Sequence, residues 1–142
     1  MMLKNKVAII TGASRGIGKS IALTFAREGA SLVLVCHKDE NSLDSVKIES
    51  ELLGAKVINL VGDIASNNFC DEIASQAIEF FGTVDILVNC AGSITRSVTE
   101  EMSSEEWHRV IDVNLHGTLY LSKNILPIMR KNKYGKIINL TS

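Results

Sequence analysis

Thr11-Gly12-Ala13-Ser14-Arg15-Gly16-Ile17-Gly18 follows the apolar run Val7-Ala8-Ile9-Ile10 and opens an amphipathic segment. In that context a glycine-rich loop points to phosphate chemistry. Glycines let the backbone turn sharply and approach a pyrophosphate, and a helix starting there aims unpaired amides and its positive dipole end at the anion. Ser14 can add a hydroxyl donor, and Arg15 a forked guanidinium for a phosphate oxygen. The spacing is Gly-x-x-x-Gly-x-Gly, not the Gly-x-Gly-x-x-Gly dinucleotide fingerprint, so context carries the reading. The alternatives are an ordinary strand-to-helix turn for the loop and a solvated side chain for Arg15.

The elements that must hold this loop follow a βαβ rhythm, with strand-like apolar runs alternating with helix-length amphipathic segments. Strands are predicted over Lys6 to Thr11, Ser31 to Cys36, Lys56 to Val61, Asp85 to Asn89 and Gly135 to Leu140. Most are continuous β-branched runs, as expected for parallel strands buried on both faces. Helices are predicted from Ile17 to Glu28, Asn41 to Leu53 and Asn67 to Phe81, stopping at Gly29, Gly54 and Gly82. Ser103 with Glu106 forms a capping box for a helix starting near Ser104, and a longer helix runs from Val113 to Arg130. Pro127 is expected to end or kink it near its last turn.

With 142 residues and 46% hydrophobic content, one domain could bury about two-thirds of its unfolded surface. The net charge of -1 offers no attraction for nucleic acid or an anionic membrane. No apolar run approaches the roughly 20 residues of a membrane span, and Met1 to Lys6 leads directly into a strand, so the expectation is a cytoplasmic protein with a small-molecule ligand. Cys36, Cys70 and Cys90 are widely spaced and show no zinc-type pairing; all three read as buried, inert thiols, and no metal is expected.

Several ordered landmarks together give the chain a family resemblance. They are Thr11 to Gly18, Asp63-Ile64 after the third strand, Asn89-Cys90-Ala91-Gly92 after the fourth, Asn114 in the long helix and Ser142 after the fifth. With these, the chain resembles the N-terminal part of a classical short-chain dehydrogenase/reductase over essentially its whole length. The family's usual second motif is Asn-Asn-Ala-Gly, so Cys90 departs from it, with a small residue that leaves the turn intact. The resemblance implies a Rossmann-type doubly wound parallel α/β sheet, incomplete at its C-terminal side. Residues 1–142 would be a single NAD(P)-binding domain ending before the family's Tyr-x-x-x-Lys segment.

The same resemblance gives each landmark a role. Gly12, Ser14, Arg15, Gly16, Ile17 and Gly18 would hold the pyrophosphate. A carboxylate at the end of the second strand would hold the ribose hydroxyls of NAD and repel the extra phosphate of NADP. This chain has Cys36-His37-Lys38 there. Without that acid, and with Arg15 and Lys38 to neutralise a 2′-phosphate, NADP(H) is favoured over NAD, although Asp39 and Glu40 follow at once and could point inward. For His37 and Lys38 the alternative is a solvated turn. Asp63 would bond the adenine amino group while the Ile64 amide meets the ring; the alternative is a helix N-cap, a role Ser66 could share. Asn89, Ala91 and Gly92 would let the ribose and nicotinamide lie against the sheet edge, unless they form a purely structural turn.

Chemistry in this family uses a Tyr acid with a pKa lowered by a Lys, a Ser that polarises the carbonyl and an Asn in a proton relay. Ser142 matches the Ser. Asn114 matches the Asn, with a core helix-kink amide as its alternative. Tyr120 is followed at four residues by Asn124, and Tyr134 by Ile138, so neither reproduces Tyr-x-x-x-Lys. Lys123 lies three residues after Tyr120, and that pair reads as core packing and a surface charge. His108 and His116 have no Cys or acid at nucleophile spacing.

The leading expectation is therefore an NADP(H)-dependent carbonyl reductase or alcohol dehydrogenase, similar to the 3-oxoacyl-(acyl carrier protein) reductase and glucose dehydrogenase-like branch. Gly92 to Met102 would form one substrate wall, with Ser93, Thr95 and Arg96 as polar candidates. The competing expectation is a catalytically incomplete nucleotide-binding fragment lacking the acid Tyr and its Lys. A third, with less support, is an interaction protein that dimerises with intact relatives through its long helix. An uncovered outer strand would favour instability or association. The full-length form is expected to be a homo-oligomer, for which Leu115, Leu119, Ile125 and Ile128 supply apolar material.

Overall fold

The computed structural model describes residues 1–141; Ser142, the expected carbonyl-polarising serine, lies outside the described residues. Five parallel strands form one sheet: β1 (Val7–Thr11), β2 (Ser31–Cys36), β3 (Val57–Val61), β4 (Ile86–Asn89) and β5 (Lys136–Asn139). Their order is β3-β2-β1-β4-β5, the Rossmann-type arrangement that reverses direction between β1 and β4. The helices are α1 (Gly16–Arg27), α2 (Glu40–Leu52), α3 (Asn67–Phe81), α4 (Ser104–Ile111) and α5 (Thr118–Asn132).

Side-chain alternation assigns the helices to the two faces. Ile10 in β1, Leu34 in β2 and Val88 in β4 pack with Ala22 and Ala26 of α1 and Leu43 and Val46 of α2. Their neighbours Ile9, Val33 and Leu87 pack with Ile73 and Ala77 of α3 and Leu121, Ile125 and Met129 of α5. The three central strands are apolar along most of their length because both faces are covered, with polar residues at Thr11, Ser31 and Asn89 at their ends. The outer strands depart from that expectation: Val61 in β3 is 40% exposed and Ile138 in β5 is 44% exposed.

The C-terminal helical stretch differs from the sequence reading in two ways. First, the capping box of Ser103 and Glu106 starts α4 as expected, but the chain does not break before Val113. A π turn at Asp112–Gly117 joins α4 directly to α5. Nothing in Ile111-Asp112-Val113 interrupts a helix, and Gly117 brings the π turn against Ile64, whose Cδ1 would stand 2.8 Å from a Cβ placed there. Second, Pro127 does not end α5, which continues to Asn132. Proline removes the donor to the carbonyl four residues earlier. Both Pro127 and Lys123 are exposed, so water can satisfy the carbonyl of Lys123.

Candidate functional site

A cleft of about 580 Å³ opens beyond the carboxyl ends of β1, β2 and β4. It lies at the reversal of strand order, where open α/β sheets place ligands. Its walls are the 12–18 loop, residues 35–39 at and after the end of β2, residues 62–64 after β3, residues 90–93 after β4, and Arg109 with Val113.

The glycines of the first wall meet different demands. Gly12 (φ +64) lies so close to the next loop that a Cβ would stand 2.9 Å from the Ala91 Cα, while a Cβ on Gly18 would collide with the Gly12 carbonyl oxygen. Gly16 (φ +57) faces open space, with nothing within 4 Å of a Cβ position. Two of these glycines therefore pack the loop, and the third leaves the approach clear. Asp39, Ser66 and Ser103 each cap a helix with a side chain, but α1 starts at Arg15 without a side-chain cap. The first turn of α1 at the cleft thus lacks the side-chain cap that α2, α3 and α4 have, and its Gly18 amide faces the Cys90 thiol.

Thr11 joins the two loops, a role that sequence reasoning missed. Its buried hydroxyl oxygen accepts hydrogen bonds from the Cys90 amide at 3.1 Å and the Ala91 amide at 3.0 Å. The partners lie 79 and 80 residues away, so no local spacing could have announced them.

At the other end of the cleft, Asp63 accepts from the Ala65 amide at 3.0 Å and from Arg109 at 2.5 Å. The N-cap of α3 is Ser66, which accepts from the Phe69 amide, so Asp63 does not fill that role. Burial alone would raise the Asp63 pKa; the bonds from Arg109 and Ala65, then the charges of Arg109 and His37, outweigh it and hold the carboxyl below its ordinary range. His37 Nδ1 lies 3.5 Å from the Arg109 guanidinium, and its Nε2 lies 3.9 Å from Asp63. Arg109 was not among the residues singled out from sequence. Ile64 is 7% exposed and lines the cleft. Arg15, His37 and Lys38 are exposed residues of the same cleft. Asp39, one of the two acids that could have turned inward, accepts from the Ser42 amide at 3.1 Å as the cap of α2.

Asn89 is placed differently from the sequence reading. It is 5% exposed, does not line the cleft, and donates from Nδ2 to Asn139 at 2.9 Å and to Ser122 at 3.4 Å. The reason is alternation: two residues after Leu87, it faces the same side of the sheet, toward α5. Ala91 and Gly92 do line the cleft. Asn114, in the π turn, accepts from the Ser93 amide and donates to the Ser93 carbonyl, both at 2.7 Å. Its amide therefore holds the loop after Gly92. Beyond it, Glu106 accepts from Ser97 at 2.6 Å and Thr95 at 3.0 Å, and with the Ser103 amide these bonds lower its pKa to about 2. Cys36 and Cys70 are buried, but Cys90 is only half-buried and forms part of the cleft wall. Burial raises all three thiols, Cys70 to about 11. Neither Tyr120, whose ring lies 6.0 Å from that of His116, nor Tyr134, with Lys6 Nζ 3.9 Å from its ring centroid, lines the cleft.

The chain belongs to the short chain dehydrogenase family, whose model matches residues 6–142. It is 37% identical over 142 residues to a 3-oxoacyl-[acyl-carrier-protein] reductase of Thermotoga maritima, covering 100% of this chain and 57% of that protein. It is also 37% identical over 142 residues to glucose 1-dehydrogenase 2 of Bacillus subtilis, covering 99% of this chain and 55% of the relative. Among solved structures it is similar to one described as a short-chain dehydrogenase/reductase from Burkholderia xenovorans, with a TM-score of 0.93 at 29% identity, covering 99% of this chain and 57% of the other. The chain thus spans little more than half the length of these relatives. No helix among the described residues is long and apolar enough to cross a membrane.

Proposed function

We propose that residues 1–142 form a single dinucleotide-binding domain that holds NADP(H) for hydride transfer between the cofactor and a carbonyl or alcohol substrate. The observation that carries this reading is the uncapped start of α1 behind Gly16, whose position is open to the cleft. First-turn amides without a side-chain cap and the helix dipole there suit a pyrophosphate, with Ser14 and Arg15 beside it. The cleft's volume of about 580 Å³ lies within the range of small-molecule sites.

When bound, the nicotinamide supplies or accepts the hydride. The protein's part is binding and orientation. Asp63 offers an ionised acceptor to the adenine amino group, and the Ile64 backbone and side chain bound the ring. Ala91 and Gly92 leave room for the nicotinamide ribose, and Thr11 and Asn114 fix the turn that contains them. Asn89 serves this turn from inside the sheet through Asn139. NADP(H) is preferred because Asp39, the acid nearest the end of β2, lines the cleft with one oxygen engaged as a helix cap and with the Arg15 charge facing it, while Arg15, His37 and Lys38 are exposed to a 2′-phosphate. NAD remains a weaker ligand of the same cleft.

The substrate class is that of the relatives, a 3-oxoacyl thioester or a sugar, meeting Ser93, Thr95 and Arg96. A proton donor is still required. Tyr120 and Tyr134 are engaged away from the cleft, so the 142 residues by themselves read as a cofactor-holding unit in which Asn114 and Ser142 match the family's relay without its Tyr acid. NADPH consumption with a 3-oxoacyl thioester and NADP⁺ reduction with glucose test this. Binding without turnover by the 142-residue chain is expected, and turnover would place the acid among the residues present.

A further inference from the structure

Arg109 lies on α4, 46 residues from Asp63 in sequence, yet its guanidinium meets the Asp63 carboxylate and the His37 ring at the cleft wall. A guanidinium only donates, and the Asp63 carboxylate is its acceptor, while the His37 ring borders both partners, with Nδ1 3.5 Å from the guanidinium and Nε2 3.9 Å from Asp63 Oδ2. The three side chains close a ring that joins the ends of β2 and β3 to α4. Asp63 uses Oδ1 on the Ala65 amide and Oδ2 on Arg109. An ionised carboxylate offers about four acceptor positions, so both oxygens retain capacity for a further donor.

Resting on the dinucleotide reading above, we propose that Arg109 is a positioning residue for the adenosine end: it fixes the rotation of the Asp63 carboxylate so that a remaining lone pair faces an exocyclic amino group on the bound base. Carboxylate torsions are otherwise broad, and an amide on one oxygen alone leaves the other free to swing. Arg109 also keeps Asp63 an acceptor, since charge and hydrogen bond both favour its ionised form. The Arg109 and Asp63 side chains are 38% and 36% exposed, so their ion pair adds little to folding. A role in recognition is therefore separable from one in stability.

The test uses two reduced dinucleotides that differ only in the base, NADH and its hypoxanthine analogue, in which a carbonyl replaces the adenine amino group. Affinities are measured for the unaltered chain, Arg109→Gln, Arg109→Lys, Asp63→Asn and the Arg109→Gln/Asp63→Asn pair. The unaltered chain should prefer NADH. Arg109→Gln should weaken NADH about tenfold, leave the analogue nearly unchanged, and so level the preference. Arg109→Lys, which keeps the charge without the fork, should restore part of it. The paired variant should lose no more than Asp63→Asn alone, because Arg109 acts through Asp63. Equal weakening of both dinucleotides by Arg109→Gln, or no change in the preference, would overturn the role of Arg109. Failure of the unaltered chain to bind either dinucleotide would instead overturn the cofactor reading on which it rests, and binding of both with equal affinity would overturn the pairing of Asp63 with the amino group.

Discussion

Gly16 and Gly18 lie two positions apart and fail differently when a side chain is added. Gly18 has no room, since a Cβ would meet the Gly12 carbonyl, whereas Gly16 has room but a left-handed backbone beside the open cleft. Gly16→Val should therefore weaken NADPH binding at least about tenfold while the fold survives, as titration and circular dichroism would show together. Unchanged affinity would remove the loop from the phosphate site. The charges nearby allow a second prediction. Arg15→Ala with Lys38→Ala should weaken NADPH about a hundredfold and NADH about tenfold or less, because only NADPH carries the 2′-phosphate. Equal losses in parallel titrations would defeat the cofactor preference. The glycine spacing and the Cys36-His37-Lys38 segment were readable directly from the chain. Arg109 was not, because its partners are brought near by the packing of α4 over two strand ends, and neither was the inward face that Asn89 takes, which depends on which position ends the strand.

Elements were legible where local chemistry decides them and obscured where distant contacts do. The five strands, the three glycine stops and the Ser103–Glu106 box all follow from short-range patterns. The π turn at Asp112–Gly117 follows from none; it coincides with the contacts of Asn114 to Ser93 and of Gly117 to Ile64. Thr11 shows what such contacts hold. Thr11→Val keeps the shape but leaves the Cys90 and Ala91 amides without their acceptor, and should destabilise the fold by about 2 kcal/mol in urea unfolding. A loss below about 0.5 kcal/mol would mean that the amides find other partners. Glu106 gives this region a pH signature. Its folded pKa of about 2 lies below the usual 4.5, so the stabilisation from anchoring residues 95–106 is complete above pH 4.5 and is lost as pH falls toward 2. Carboxyl NMR should follow that low titration; a midpoint near 4.5 would show that Ser97 and Thr95 do not hold it.

At the scale of the whole molecule, the sheet has two covered faces, a cleft at its carboxyl edge, and an apolar stripe left in water. The sequence reading offered four apolar residues of the long helix to a partner, with sheet packing expected to take some of them, and the structure divides them. Ile125 is fully buried and Ile128 packs against the core, whereas Leu115 and Leu119 are 58% and 56% exposed. Trp107 on α4, 55% exposed, adds to the apolar surface of this helical stretch. Exposed apolar surface of this kind favours association, and the expectation of a second copy docking on the joined α4 and α5 rests on it. Leu115→Lys with Leu119→Lys should shift the protein to monomer in sedimentation velocity. An unaltered distribution would place any self-contact elsewhere.

The cleft between the glycine loop and Arg109 is the proposed dinucleotide site. Titration of the purified 142-residue chain with NADPH and NADH, by calorimetry, tests it most directly. Saturable one-to-one binding with NADPH the tighter ligand is the predicted result, and absence of binding by either dinucleotide to the folded chain would contradict it.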